Sequence, residues 1–273
     1  MTVVAVCDRA GISRQGYYRA RRRRERREID EQAILELVDG ERRLQPRLGA
    51  RKVLANIRGE LEKMGVKIGR DRFIELLRRH DRLVEPLAAA PRTTQVDRTR
   101  PVAPNRLKDF EPTGPNQAWA ADVTYVRTAE GWAYASLITD VFSRKIVGHA
   151  LWDDLTLEGP LAALERALAG LPADAAPLRH SDRGCQYTST PYGERLAAAG
   201  LTASMTEENH CYENALAERV NGILKQEYNL RGTFATKAQA RRTLEQAVDL
   251  YNTRRPHVSL DYLTPEKVHR GAA

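Results

Sequence analysis

The hydrophobic period of the chain changes at Trp119 from helical spacing to strand-like alternation. Three short segments rich in β-branched and aromatic residues follow at close intervals, at 118–127, 132–141 and 145–151. Their spacing predicts an antiparallel meander. The pattern then alternates, with predicted helices at 157–171, 191–199, 212–228 and 236–252 and predicted short strands at 177–180 and 201–205. Strands followed by alternating helices and strands predict an α/β domain with a mixed sheet.

The N-terminal part of the chain is basic, whereas the rest is nearly neutral. Residues 1–100 contain 25 Lys and Arg against 15 Asp and Glu, and residues 101–273 contain 19 against 21. This asymmetry indicates a module that binds a polyanion joined to a module that carries out chemistry. The alternative is an ordinary charged helix surface, and charge alone does not decide between the two.

Residues 1–28 are predicted to form two short helices that are broken at Gly11. Ser13 is a good N-cap for the second helix, as at the corner of a helix-turn-helix motif. The run Arg21–Arg24 then favours phosphate contacts, although four consecutive arginines point to every side of a helix and cannot form one specific surface.

Residues 29–85 have helical periodicity with breaks at proline and glycine, which predicts a small bundle of three helices with a basic DNA-binding face. The candidate DNA contacts in this bundle are Arg51, Lys52, Arg70 and Arg72. Residues 86–114 are rich in proline and predict an extended linker. Residues 115–273 then form the predicted catalytic core.

Three acidic residues of the core are the candidate catalytic and metal-binding groups. Asp122 lies within the first predicted strand, Asp182 lies just past a later strand, and Glu218 lies on a helix. Three close carboxylates repel each other unless a cation lies among them. Oxygen ligands without His or Cys favour Mg²⁺ or Mn²⁺ over zinc. Two such ions could activate one oxygen and stabilise another at phosphorus.

Each acid also has an ordinary explanation. Asp182 could cap a turn and Glu218 could be a solvated helix residue, whereas an acid in an apolar strand such as Asp122 is costly unless it is used. Lys225, two helical turns after Glu218, could hold a phosphate, and Asn214 and Asn221 are predicted to share that face.

Five motifs of the core resemble those of one family. They are W-x-x-D-V-T-Y at 119–125, H-S-D-R-G-x-Q-Y-x-S at 180–189, Y-E-N-A-x-A-E at 212–218, L-K-x-E at 224–227 and Y-N-x-x-R-P-H-x-S-L-x-x-x-T-P-E at 251–266. Together they resemble bacterial insertion-sequence transposases of the IS-three family, and more closely their second-frame product, which bears a retroviral-integrase-like core. The resemblance covers about residues 115–270, and less specifically the helices of 30–85.

The resemblance implies an RNase H-like fold in which Asp122, Asp182 and Glu218 form an Asp-Asp-Glu triad that binds two Mg²⁺ or Mn²⁺ ions. It implies strand cleavage and strand transfer at the ends of an insertion element through a 3′-hydroxyl nucleophile. The implied partners are double-stranded DNA (terminal inverted repeats and target), further copies of the chain, and an upstream-frame DNA-binding product or a fusion with it.

Further DNA contacts are predicted at Arg183, beside Asp182, and at Arg254, Arg255 and His257 in the last motif. For His257, stabilisation of the last helix is an equally good explanation. Two alternatives to the transposase remain: a catalytically silent DNA-binding regulator derived from one, and a structure-selective nuclease on the same fold.

The composition argues against several other classes of protein. No apolar run approaches the length of a membrane span, and no secretory signal precedes residue 30. Cys7, Cys185 and Cys211 form no metal-ligand spacing and no disulfide framework, which predicts a reducing, cytoplasmic location. A bacterial transposase would also associate with the nucleoid when it is bound to DNA. Thiol catalysis would need a His beside one of the cysteines and is disfavoured.

Overall fold

The computed structural model describes residues 2–85, 102–207 and 214–271. The chain forms two compact units, Met1–Val84 and Glu85–Ala273, which we call the helical unit and the sheet unit. None of the described helices has both the length and the apolar character that crossing a membrane requires.

The helical unit contains four helices, α1 (Val3–Ala10), α2 (Arg14–Leu44), α3 (Ala50–Lys63) and α4 (Arg70–Arg79). Gly11 ends α1 with a left-handed φ of 62°, a conformation that glycine adopts without steric cost. Ser13 caps α2, since its hydroxyl oxygen accepts the Gly16 N–H at 3.0 Å. The predicted helix-turn-helix corner is therefore formed as a capped turn.

Helix α2 is continuous through residue 28, so the predicted domain boundary between 28 and 29 does not correspond to a break. The segment contains no proline, and ion pairs at i,i+4 spacing join Arg21 to Glu25 and Arg24 to Glu28 along it. Its C-terminal half packs with α3 and α4 around one apolar core, which includes Ile34, Val38, Leu48, Val53, Phe73 and Leu77.

The sheet unit begins with the predicted meander. Its strands are β1 (Ala118–Thr128), β2 (Gly131–Asp140) and β3 (Ile146–Trp152), which pair antiparallel in the order β3-β2-β1. Helix α5 (Glu158–Ala169) follows, and β4 (Leu178–Ser181) and β5 (Thr202–Met205) extend the sheet in parallel beyond β1. The sheet is mixed, as predicted.

The remaining elements of the sheet unit are helices and one very short strand. They are α6 (Thr190–Ala198), α7 (Ala215–Glu227), β6 (Thr233–Phe234), α8 (Lys237–Thr253), a 3₁₀ turn (Val258–Leu260) and α9 (Pro265–His269). Strand β6 pairs in parallel with residues 127–128 of β1. Neither β6 nor α9 is among the predicted elements. The predicted start of α7 at Tyr212 lies outside the described residues.

Two apolar cores cover the two faces of the sheet. Helices α5 and α6 pack on one face, around Trp119, Ile138, Leu164, Tyr192 and Leu196. Contact is closest at Gly148, where a Cβ would lie 2.2 Å from the Ala163 carbonyl oxygen. Helices α7 and α8 pack on the other face, around Val126, Leu137, Val220, Leu224 and Leu244.

Part of the predicted linker belongs to the sheet unit. The N–H of Arg106 donates to the Ser204 hydroxyl on β5 at 2.9 Å, and Lys108 forms an ion pair with Glu207 at 3.2 Å. The predicted boundary at 114 is therefore too late, because the chain already lies against the sheet unit in this segment. Residues 86–101 of the predicted linker lie outside the described residues.

Candidate active site

Asp122 and Asp182 lie at equivalent positions on adjacent parallel strands. Ala121 on β1 is paired with Ser181, the last residue of β4, and each acid is the next residue along its strand. Because neighbouring strands are about 4.8 Å apart, this register brings the two carboxyl-bearing residues side by side. The sequence predicted both positions, one within a strand and one just past a strand.

The sheet has an opening next to these acids. On the side of β1 away from β2, residues 118–121 pair with β4 and residues 127–128 pair with β6. Between them, residues 122–126 pair with neither strand, and we call this interval of β1 the notch. Asp122 is the first residue of the notch, and its carboxylate lies against α7.

The environment of Asp122 disfavours its charge. Burial and the neighbouring charge of Asp182 raise the pKa of Asp122 to about 7, and Glu218 adds a smaller increase. Hydrogen bonds from the Asn221 side chain (2.7 Å) and the Val123 N–H (2.9 Å) act in the opposite direction. Asp122 is therefore an acid whose ionisation needs a cation or a change of pH.

Helix α7 places two polar side chains against β1 and a third, Glu218, on the same side of the helix. The Nδ2 of Asn221 donates to Oδ2 of Asp122, and Asn214 donates to the carbonyl oxygen of Ala121 at 3.2 Å. Glu218 precedes Asn221 by three residues and therefore lies on the same side of the helix. Its side chain is exposed, whereas both asparagines are buried.

The loop after β4 holds Asp182. The Gly184 N–H donates to its Oδ1 at 3.0 Å, so the acid does cap a turn, as the ordinary explanation holds. A Cβ at Gly184 would lie only 3.0 Å from that oxygen and 3.2 Å from Oε1 of Gln186. Gln186 in turn donates to the Leu155 carbonyl oxygen at 3.1 Å, which ties this loop to the end of β3.

Arg179 is a buried cation behind Asp182. It donates to the His180 carbonyl oxygen (2.8 Å) and the Tyr192 hydroxyl (2.6 Å), and its guanidinium lies over the Tyr187 ring at 4.6 Å. Burial raises the pKa of Asp182, whereas the Gly184 N–H and the charge of Arg179 lower it. Arg179 is thus part of the electrostatic environment of the acid pair.

The donor chemistry at the notch suits a hard cation, although a complete ligand cage is not formed. Among residues 2–85, 102–207 and 214–271, no three His, Cys, Asp or Glu side chains are gathered closely enough to hold one metal ion. Asp122 and Asp182 nonetheless supply adjacent carboxylates. The side-chain oxygens of Asn214 and Asn221 are buried without a hydrogen-bond partner in the described part of the chain. These are oxygen ligands of the kind that Mg²⁺ and Mn²⁺ prefer.

Lys225 lies on α7 near Asp122. Burial lowers the pKa of Lys225 and the charge of Arg231 adds to this effect, while the charge of Asp122 opposes it. Its half-buried ammonium group is therefore within electrostatic reach of the acid that begins the notch. Its predicted role in holding a phosphate stays a prediction.

The last motif makes internal contacts. Arg255 is only 2% exposed and forms two hydrogen bonds to the Glu227 carboxylate, at 2.7 and 2.9 Å. His257 is 6% exposed and lies 2.8 Å from Arg255 Nη1. Asn252 exchanges two hydrogen bonds with the Ile146 backbone at the edge of β3. This burial favours the stabilising role over the predicted DNA contacts for Arg255 and His257, whereas Arg254 is exposed.

Arg183 and the asparagines were also predicted to contact DNA. The Nε of Arg183 donates to the Thr206 carbonyl oxygen at 2.8 Å, which holds this side chain against the end of β5. Asn214 and Asn221 are committed to β1 and Asp122, as described above. The sequence reasoning placed the asparagines on the correct helix but missed that one of them binds the acid itself, because no one-dimensional pattern identifies a partner 99 residues away.

The helical unit carries the other predicted contacts. Arg51, Arg70 and Arg72 are exposed and Lys52 is half-buried. Their role as DNA contacts stays a prediction. A surface cavity on α2 is lined by Gln15, Arg19, Arg22, Arg23 and Arg26. We call these four arginines the arginine face. Of the run Arg21–Arg24, only Arg22 and Arg23 belong to the arginine face, whereas Arg21 and Arg24 pair with Glu25 and Glu28, so the run as a whole does not form one surface.

Two of the three cysteines lie among the described residues. Cys7 is buried in the helical unit and Cys185 is exposed in the sheet unit. Cys211 lies outside the described residues, as does the segment 208–213 that precedes α7.

Comparison with known proteins agrees with this architecture. Two family models, each described as "Integrase core domain", match residues 112–211 and 199–265. The chain is 18% identical to a chain of the simian T-cell lymphotropic virus intasome in complex with PP2A regulatory subunit B56 gamma. That match has a TM-score of 0.50 and covers 77% of this chain and 69% of that one. It shows the same RNase H-like fold as a retroviral integrase, as predicted.

Two proteins that are similar in sequence to this chain identify its family. The transposase InsF for insertion sequence IS3A of Escherichia coli (strain K12) is 36% identical over 61% of this chain and 59% of its own length. The uncharacterized 31 kDa protein of insertion element IS600 from Shigella sonnei is 34% identical over 98% of this chain and 100% of its own length. The chain therefore belongs to the IS3 (IS-three) family of insertion-sequence transposases.

Proposed function

We propose that the chain catalyses metal-dependent DNA strand cleavage and strand transfer at the ends of an insertion element, with Asp122, Asp182 and Glu218 as the metal ligands. One observation carries the proposal. Two half-buried carboxylates lie side by side on parallel strands, and burial and the charge of Asp182 raise the pKa of Asp122 to about 7. At neutral pH, a cation that offsets the repulsion favours full ionisation of such a pair.

Glu218 is the proposed third ligand. It lies on the side of α7 that faces Asp122, and its charge acts on Asp122. Since the described side chains do not yet form a cage, we infer that Glu218 moves toward the acid pair when ions bind. Its exposure leaves it free of packing that would oppose such a movement.

Three further groups of the chain have proposed roles beside the metal ligands. Asn221 and the Gly184 N–H orient the carboxylates of Asp122 and Asp182, respectively. Lys225 is placed to hold a phosphate of the DNA beside Asp122. When bound, two divalent ions would supply activation of a hydroxyl oxygen and stabilisation of the leaving oxygen at phosphorus.

The partners proposed for this activity are DNA duplexes and other copies of the chain. Double-stranded element ends and target DNA would supply the nucleophilic 3′-hydroxyl and the phosphodiester it attacks. We infer that several copies assemble on these ends, and that an upstream-frame DNA-binding product acts with them or as a fusion.

Cleavage of a fluorescent duplex that carries an end of the encoding element tests the proposal. Asp122→Asn, Asp182→Asn and Glu218→Gln are each expected to abolish Mg²⁺-dependent cleavage while retaining DNA binding. Asp174→Asn, an exposed acid of the same unit, is the matched control and keeps full activity. Wild-type cleavage by any of the first three variants would remove that residue from the ligand set.

A binding measurement separates the enzyme from the silent regulator. Isothermal titration calorimetry of the wild-type chain with Mn²⁺ alone is expected to show saturable binding that is lost in Asp122→Asn. Duplex binding without Mn²⁺ binding and without cleavage would favour the regulator. Cleavage without joining to a second duplex would favour a nuclease.

A further inference from the structure

The face of the sheet that carries α5 has a row of aromatic side chains beyond the N-terminus of that helix. Tyr125 on β1 is paired with Tyr134 on β2, which is paired with Trp152 on β3. Arg127 and Trp132 form the next cross-strand pair. Residues paired in this way present their side chains on the same face, so the five form one continuous surface, which we call the aromatic platform.

The aromatic platform is unusually exposed for such large apolar groups. Trp132 is 49% exposed, Trp152 37% and Tyr125 36%. The rings contact each other edge to face, with centroids 6.1 Å apart for Tyr125 and Trp132 and 5.3 Å apart for Tyr125 and Tyr134. Their contacts fix the rings in place while their faces remain open to solvent. A contiguous exposed apolar patch of this kind marks a binding surface.

The aromatic platform includes one cationic side chain, Arg127. The guanidinium carbon of Arg127 lies 5.3 Å from the centroid of the Trp132 ring. A ring face beside a guanidinium matches a nucleotide, whose base stacks on the ring and whose phosphate pairs with the cation. A second copy of this chain would instead have to bury that cation in an apolar interface, which is costly.

The aromatic platform lies at the same end of the sheet as the acid pair. Strands β1, β3 and β4 run in the same direction, and Tyr125, Trp152 and Asp182 are all toward their carboxyl ends. Tyr125 follows Asp122 by three residues of strand, or about 10 Å, and this odd spacing places its ring on the face of the sheet opposite to the Asp122 carboxylate. The Gln186 hydrogen bond to Leu155 joins the loop that follows Trp152 to the loop that holds Asp182.

We propose that the aromatic platform binds unpaired DNA bases by stacking, and so holds a single-stranded segment of the substrate on the α5 face of the sheet, near the edge that carries the acid pair. The inference rests on the proposed function, because it names the form of DNA that the chain accepts. Stacking on aromatic rings is tolerant of sequence, since every base has a π face. Duplex bases are already stacked on one another, so a closed duplex does not fill the platform.

Tryptophan fluorescence of the full chain reports on this surface selectively. The chain has three tryptophans, all in the sheet unit, and Trp119 is fully buried. The two exposed tryptophans are both in the aromatic platform, so DNA bound by the helical unit leaves the signal unchanged. The probe is an oligothymidylate of about 15 nucleotides, which spans a typical single-strand site. EDTA is present, so that neither metal binding nor cleavage is required.

We expect saturable quenching by this oligothymidylate and weaker quenching by a blunt duplex of equal length. Tyr125→Ala retains both reporter rings and is expected to weaken oligothymidylate binding at least about fivefold, because one base loses its stacking partner. Phe110→Ala removes an exposed aromatic ring elsewhere in the sheet unit and is the matched control, with unchanged affinity.

Three results with DNA would overturn the proposal. They are absence of quenching, equal quenching by the blunt duplex, and equal affinity of Tyr125→Ala and Phe110→Ala. A fluorescence change that depends on protein concentration alone and disappears in Trp132→Ala would overturn it in favour of a second copy of the chain. Failure here with intact Mg²⁺-dependent cleavage leaves the proposed function standing, whereas loss of cleavage in the acid variants with intact stacking does not affect the aromatic platform.

Discussion

Asn221 on α7 donates a hydrogen bond of 2.7 Å to Oδ2 of Asp122 on β1 and thereby joins a helix to the acid at the start of the notch. This bond favours the ionised carboxylate and lowers the pKa of Asp122 against the effect of burial. Because it favours the charged carboxylate, the hydrogen bond should also strengthen the binding of a cation to Asp122.

Asn221→Ala is expected to weaken Mn²⁺ binding by about 10-fold to 100-fold, the usual effect of removing a partner that orients a metal ligand. The loss should be larger at low pH, because the pKa of Asp122 rises further without this donor. Mn²⁺ titration at several pH values measures both effects. Gln226→Ala, an exposed residue of the same helix, is the control, and equal affinities for the two variants would contradict the prediction.

The raised pKa of Asp122 makes the metal-free chain less stable as the pH increases. The pKa is about 7 in the folded chain against a reference value of 3.8. Between these values the unfolded chain has released a proton that the folded chain retains, so stability falls as the pH rises through this window and is level above it.

Asp122→Asn removes that dependence. In EDTA, the melting temperature of the variant should exceed that of the wild type more at about pH 8 than at about pH 5, and Mg²⁺ should raise only the wild-type value. Thermal unfolding followed by circular dichroism measures the difference. If the melting temperatures of the two proteins changed with pH in the same way, the pKa of Asp122 would not be raised in the folded chain.

Gly184→Ala is expected to disturb the acid pair through contact with it. The added Cβ would lie 3.0 Å from Oδ1 of Asp182 and 3.2 Å from Oε1 of Gln186, so the carboxylate must shift. We expect cleavage to fall by at least about 10-fold, because ligand geometry tolerates shifts of only a few tenths of an ångström.

Gly193→Ala is the matched control for this substitution. It lies within α6 with no atom within 4 Å of its added Cβ. It should keep full activity and gain up to about 1 kcal/mol of stability from the higher helix propensity of alanine. Equal activities of the two alanine variants would show that the geometry of the loop after β4 does not affect cleavage.

Arg255→Met is expected to destabilise the sheet unit rather than to abolish DNA binding. It leaves the Glu227 carboxylate half-buried without its bidentate partner, which costs about 3–5 kcal/mol. Arg254→Met changes an exposed neighbour and should cost less than about 0.5 kcal/mol. Urea unfolding gives both values. A DNA affinity that drops for Arg255→Met at temperatures where it is fully folded would restore the DNA-contact interpretation.

The arginine face of α2 is expected to determine the salt dependence of DNA binding. Each lost phosphate contact lowers the slope of log affinity against log salt by about 0.9, so Arg22→Gln with Arg26→Gln should lower it by about 2. Arg21→Gln with Arg24→Gln removes the same charge from residues that pair with glutamates, and should leave the slope nearly unchanged. Equal slopes for the two double variants would contradict a specific surface.

The sequence predicted the sheet and the two strand acids because both depend on local patterns. Strand alternation gave β1 to β3 within about two residues of their observed ends, and Asp122 and Asp182 lie where that pattern put them. An acid inside an apolar strand can be recognised from the sequence, because the free-energy cost of burying it is indicated by its immediate neighbours.

Other features depend on contacts distant in sequence and could not be read in this way. The burial of Arg255 is set by Glu227, which lies 28 residues earlier, and the motif around it looks basic and exposed when taken alone. Strand β6 has two residues, too few for any period. Helix α2 crosses residue 28 because neither proline nor glycine interrupts residues 17–39, although the composition changes there.

The notch in the sheet is bounded on both sides by strand pairing, with β4 ending at one margin and β6 beginning at the other. Its span of five residues, about 17 Å along β1, is therefore fixed by backbone hydrogen bonds rather than by how side chains fill the two cores. Substitutions that loosen either core should lower the melting temperature long before they alter the width of this gap. Relatives that diverge in their interior residues can accordingly keep an opening of the same width.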